Sequence, residues 1–159
     1  LIWIKYNMKI LIVEDQIEKS KEIELFCRSF FPIIESVAVF QSLRGGLRSL
    51  ISNTYDLIFL DMSMPNFDPS SDNPLGGTPE SFAGKEFLAQ MKLRGENIPV
   101  VIITQYQTFE EGQVDLHSID SYLKETYADF YLGAIYYSSA DKEWEVNLAN
   151  LLNRAYLNE

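Results

Sequence analysis

Five short apolar runs, rich in β-branched or aromatic residues, recur along this chain with amphipathic segments between them. They are KILIV (Lys9–Val13), VAVF (Val37–Phe40), LIFL (Leu57–Leu60), PVVII (Pro99–Ile103) and AIYY (Ala134–Tyr137). These compact runs read as strands buried on both faces, as in a parallel sheet. The segments between them carry helical spacing. Ile23, Phe26, Cys27 and Phe30 repeat at three and four, with Pro32 as the stop. Leu43, Leu47, Leu50 and Ile51 form a second face, which tolerates Gly45 and Gly46 at some cost. Phe87, Leu88 and Met91 belong to a third helix ending near Gly95, and a fourth spans about Ser118 to Tyr127 with Ile119, Tyr122 and Leu123 inward. Trp144, Leu148, Leu151, Leu152 and Ala155 mark the last. Strand and helix alternating five times predict an α/β fold: a doubly wound, five-stranded parallel sheet with helices on both faces.

A chain of 159 residues suits one domain with a sizeable core. Met8 stands as a natural start, so residues 1–7 read as an N-terminal extension and 8–159 as the domain. The stretch NFDPSSDNPLGGTPESF, residues 66–82, is too long and too rich in Pro, Gly, Ser and Asp for an ordinary strand-to-helix connection. It reads as an inserted loop. A formal net charge of -10 with 13 Lys+Arg argues against nucleic acid as a partner, because phosphate backbones need clustered cations. With Cys27 the sole cysteine, neither an internal disulfide nor a cysteine zinc cluster is available. No apolar run approaches the roughly 20 residues that span a bilayer, and LIWIKYN lacks the pattern of a signal peptide. The expectation is a cytoplasmic protein with no membrane partner.

Ligands of an open parallel sheet bind beyond the C-terminal ends of its strands. The first strand ends in Glu14 and Asp15, the third in Asp61 and the fourth in Thr104. If the first and third strands are neighbours, three carboxylates crowd one edge, and a divalent cation is the economical remedy. Hard oxygen ligands without His or Cys select Mg²⁺. An aspartate beside Mg²⁺ can attack phosphorus to give an aspartyl-phosphate, with a hydroxyl available to the phosphoryl oxygens.

MKILIVEDQ, YDLIFLDMSMP and IPVVIITQY, in this order, resemble the receiver domain of two-component response regulators. The resemblance runs through about Pro65, resumes at GKEFLAQMK and fades after Gln105. It implies a flavodoxin-like sheet of order 2-1-3-4-5, with Asp61 as phosphoacceptor and Thr104 as the switch hydroxyl. Glu14, Asp15, Asp61 and the backbone carbonyl of Ser63 would be the Mg²⁺ ligands. The implied partners are a sensor histidine kinase or phosphotransfer protein and a downstream protein, and a homodimer is compatible with it. The implied function is a stand-alone receiver that phosphorylates itself from its partner and signals by protein–protein contact.

Three features depart from that pattern. Receivers carry a lysine, usually followed by proline, at the end of the fifth strand; here the stretch is AIYYSSADKEW, with Lys142 the nearest cation. The loop 66–82 intervenes before Gly84, and QYQTFEEGQVDLHS lengthens the segment after Thr104. A pseudo-receiver, using the same fold as a constitutive binding or scaffold module without phosphotransfer, is therefore the alternative. An aspartate-dependent phosphohydrolase is the less favoured one, because the second aspartate it needs is replaced by Ser63. Tyr136 or Tyr137 is the candidate aromatic to move with Thr104. His117 reads as a residue near a helix start and Cys27 as inert core.

Overall fold

The computed structural model describes residues 7–65, 68, 83–109 and 112–157. Residues 1–6 of the expected extension, and the expected loop 66–82 apart from Asp68, lie outside the described residues. Among the described residues the elements follow in the order β1 (Met8–Val13), α1 (Ile17–Phe30), β2 (Ile34–Phe40), α2 (Leu43–Ser52), β3 (Leu57–Leu60), α3 (Ala83–Arg94), β4 (Val100–Thr104), β5 (Thr108–Phe109), β6 (Val114–Asp115), α4 (Leu116–Thr126), β7 (Tyr131–Tyr136) and α5 (Glu143–Leu157). Five of the strands make one parallel sheet in the order β2-β1-β3-β4-β7, which is 2-1-3-4-5 counted along that sheet.

Residue alternation in the central strands divides the core in two. Leu11, Val13, Ile58, Leu60, Val100 and Ile102 point to one face, where α2, α3 and α4 cover them with Leu50, Phe87, Met91 and Leu123. Ile10, Ile12, Leu57, Phe59, Val101 and Ile103 point to the other, under Ile23, Phe26 and Cys27 of α1 and Trp144, Leu148 and Leu152 of α5. This two-sided burial is why the strands read as unbroken apolar runs. The rules of burial were obeyed less well at the margins. Tyr122 turns outward, where Lys85 stands over its ring at 4.6 Å, and Ile51 is also exposed.

Two strand starts lie earlier than the apolar runs suggest, at Ile34 and Tyr131. The lengthened segment after Thr104 folds as an antiparallel ribbon of β5 and β6, closed by the Leu116 N–H on the Gln107 carbonyl at 2.9 Å. Asp115 then caps α4, its carboxylate accepting from the Ser118 N–H at 2.7 Å. His117 is exposed in the first turn of that helix, and Cys27 is buried in α1. Among the described residues no helix is long and apolar enough to cross a membrane.

Candidate functional site

The residues that follow β1 and β3 meet at the C-terminal edge of the sheet because these two strands are direct neighbours, with Val13 opposite Leu60. Asp61 is the next residue, and its N–H donates to the Val13 carbonyl at 3.0 Å. The loop beyond it is fixed along its length. Met62 and Met64 are fully buried beneath α2 and α3, the Met62 carbonyl accepts from the Gly84 N–H, and the Pro65 carbonyl accepts from the Leu43 N–H, both at 3.0 Å. Gly84 allows that approach, since a Cβ there would stand 2.8 Å from the Asp61 carbonyl oxygen. The Met-x-Met-Pro segment thus anchors the aspartate as well as ending the strand.

Carboxylate oxygens of Glu14, Asp15 and Asp61 lie within 4.8 Å of one another. Glu14 and Asp61 are buried, whereas Asp15 keeps access to solvent. Burial is the main force on both buried acids and raises their pKa values; Lys19 opposes it, while Asp61 adds to the rise at Glu14 and Asp15 to that at Asp61. Glu14 is pushed up to about 8. One Glu14 oxygen accepts from the Gln16 N–H at 2.9 Å, and the Ser63 N–H donates to Asp61.

The structure also brings in a residue that the strand ends do not reveal. Lys19, in the first turn of α1, is 1% exposed. Its Nζ lies 2.5 Å from Glu14 Oε2 and 3.3 Å from Asp61 Oδ1, and it donates to the Ile103 carbonyl at 2.7 Å. Helical side chains lean toward the helix N-terminus, and α1 starts only a few residues after β1, so the chain of Lys19 runs back to the sheet edge. A signal for it was present in the sequence. Lys19 precedes Ile23 by four residues and so shares the inward stripe of Ile23, Phe26, Cys27 and Phe30. Its surroundings, QIEKSKEIE, make it look instead like part of a solvated charged face.

Glu14 Oε2 and Asp61 Oδ1 are buried yet accept no well-aligned hydrogen bond among the described residues; Lys19 meets them as an ion pair. Three carboxylates against one ammonium leave two negative charges when all are ionised, which a divalent cation would cancel. The donor set is therefore suited to a hard divalent ion such as Mg²⁺.

Thr104 ends β4 at the same edge and is fully buried, its hydroxyl accepting from the Tyr106 N–H at 3.2 Å. Tyr136 is its register partner on β7 and is exposed; Tyr137 is buried and its N–H donates to the Thr104 carbonyl at 2.8 Å. The segment after β7 itself brings no lysine to the edge: Tyr137 and Ser138 follow the strand, and Lys142 is exposed just before α5.

No family model matches the sequence. An uncharacterized protein of Sinorhizobium fredii, y4jR, is 30% identical over 145 residues, 90% of this chain and 95% of that protein. The Detocs response regulatory protein DtcB of Enterobacter cloacae is 27% identical over 144 residues, 89% of this chain and 95% of its own. Among solved structures, the response regulatory domain of mrkE from Klebsiella pneumoniae superposes with a TM-score of 0.62 at 20% identity, covering 96% of this chain and all of that one. The response regulator TrrA of Thermotoga maritima, solved in complex with Mg²⁺–BeF, gives a TM-score of 0.57 at 14% identity over 91% of this chain and 98% of its own.

Proposed function

We propose, from its likeness to response regulatory proteins and its receiver-type fold, that Asp61 accepts a phosphoryl group with Mg²⁺ in the carboxylate cluster, and that the phosphorylated form signals by protein–protein contact. The observation that carries the reading is the convergence of Glu14 and Asp15 on Asp61, with carboxylate oxygens within 4.8 Å of one another at the sheet edge. Glu14, Asp15, Asp61 and the Ser63 backbone carbonyl would hold the ion. When bound, Mg²⁺ supplies positive charge to the oxygens of the transferring group.

The chain's own part is orientation. Asp61 is held by its N–H and by the buried methionines on either side of Ser63, so one carboxylate oxygen can attack phosphorus. The new bond is Oδ–P. The bond that breaks is P–N of a partner's phosphohistidine, or P–O of a small acyl phosphate, and the leaving group keeps the electron pair. Thr104 would donate its hydroxyl hydrogen to the phosphoryl oxygens, and a rotation of the hydroxyl toward them would loosen the bond it accepts from the Tyr106 N–H and so couple the site to the β5–β6 ribbon. The phosphodonor is a histidine kinase or phosphotransfer protein, and the output is a second protein.

The test is incubation with Mg²⁺ and acetyl phosphate, followed by intact-mass and peptide analysis. One base-labile phosphoryl group on Asp61 is the expected product. Absence of the adduct, together with no Mg²⁺-dependent change in tryptophan fluorescence, would overturn the reading and leave a constitutive binding module. Continuous phosphate release from an external substrate would point to a hydrolase.

A further inference from the structure

The geometry points to Lys19 as the phosphoryl-binding cation of this site, delivered by α1 rather than by the end of β7. This inference rests on Asp61 being the acceptor. A buried ammonium is costly unless it is paired, and Lys19 is paired with the two carboxylates that are themselves buried. A first-turn lysine also faces the positive end of its own helix, which disfavours it there. The tertiary contacts must therefore hold it in place. Among the described residues, the ion pairs to Glu14 and to Asp61 are both made by Lys19.

The contact lengths assign its two duties. At 2.5 Å from Glu14 and with the Ile103 carbonyl at 2.7 Å, the ammonium is anchored on its far side. At 3.3 Å from Asp61 Oδ1 it is close enough to meet an oxygen of a group bonded to that carboxylate without moving its anchor. In the resting chain it neutralises Asp61; after transfer it holds the added negative charge.

Tyr137 fills the position next to this cation. Its ring centroid is 5.7 Å from Lys19 Nζ, and its hydroxyl donates to Glu22 Oε2 at 2.7 Å. The tyrosine at the end of β7 thereby ties down the helix that carries the lysine. Its ring also lies 5.3 Å from that of Trp144, so a change at Lys19 has a short path to a fluorophore. Tyr137 is a positioning residue in this scheme.

The experiment compares wild type, Lys19→Met, Lys19→Arg and the double variant Lys19→Met/Tyr137→Lys, each checked for folding by circular dichroism. Two readouts are followed with Mg²⁺ present: the rate of adduct formation from acetyl phosphate, and beryllofluoride binding by tryptophan fluorescence. Lys19→Met should slow the adduct on the order of 100-fold, the scale for losing one charge-stabilising donor, and weaken beryllofluoride binding in parallel. Lys19→Arg should retain a measurable fraction of both. The double variant, which returns an ammonium from the strand end, should recover part of what Lys19→Met loses; a purely structural lysine in α1 could not be replaced from there. If folded Lys19→Met matches wild type in both readouts, Lys19 is only a structural ion pair while Asp61 stands as acceptor. If Lys19→Met does not fold, Lys19→Gln takes its place, and a folded Lys19→Gln that matches wild type in both readouts overturns the inference. If wild type itself forms no adduct, the acceptor reading fails and this inference fails with it.

Discussion

The two sides of the sheet edge solve different problems. On the β1–β3 side, carboxylates stand directly at the ends of two adjacent, fully buried strands, and neighbouring backbone holds them. On the β4–β7 side, a hydroxyl and a tyrosine occupy the edge, and the cation arrives from a helix that crosses beneath the sheet. The first arrangement leaves little freedom, because strand register alone sets where each carboxylate lies. The second can be rebuilt from different elements, because a long side chain can reach one point from several origins. The acidic half is thus fixed by the strands, while the cation beside it can come from another element.

The widest separation between the two sides should come from Asp61→Asn. It should abolish the base-labile adduct altogether in mass analysis, whereas Thr104→Ala should still form one, more slowly. An adduct on Asp61→Asn at the wild-type level would mean that the reaction centre lies elsewhere.

The acidic side should also respond to pH in a defined direction. Glu14 is raised from 4.5 to about 8 by burial, so between those values the folded chain holds a proton that the unfolded chain has lost. Its contribution to stability therefore falls as pH rises through that window. Cation binding needs the deprotonated carboxylates, so Mg²⁺ affinity should rise as pH rises from 6 toward 8. Calorimetry in buffers of different ionisation enthalpy should find net proton release on Mg²⁺ binding at pH 6. A flat profile in wild type would remove Glu14 from the ion's surroundings.

Asp15→Asn should weaken Mg²⁺ binding on the order of 10- to 100-fold, as losses around a metal ligand do, while Thr104→Ala should change it by no more than about twofold. Fluorescence titration distinguishes them. Equal losses in both would show that the two sides act as one metal site.

The smallest contrast concerns glycines. A Cβ at Gly84 would meet backbone, the Asp61 carbonyl oxygen at 2.8 Å and Met62 Cα at 3.0 Å, and backbone there cannot give way. A Cβ at Gly133 on β7 would meet only the Leu151 side chain, at 3.1 Å. Thermal or urea unfolding should show Gly84→Ala costing about 1–3 kcal/mol and Gly133→Ala less. The reverse order would place the rigid half of the edge at β7.

Much of this is legible in the sequence, and unevenly so. The runs around Ile10, Ile58 and Val101 specified buried parallel strands because period-two side chains with two apolar faces have few other homes. Glu14, Asp15, Asp61 and Thr104 could be placed at one edge for the same reason. Tyr122 was misplaced because an aromatic at helical spacing can stack on a surface lysine as well as enter a core. The β5–β6 ribbon was missed because two-residue strands carry no period long enough to read.

The sequence by itself determined the sheet, its order of burial and the carboxylates at its edge, since each follows from local periodicity and strand direction. Only the tertiary structure decided that Lys19 leaves the charged run around it, and that Tyr137 stands beside its ammonium. The end of a flexible side chain is set by how α1 packs across β1 and β4, a non-local outcome in which burial against two carboxylates outweighs the solvation that the local sequence suggests.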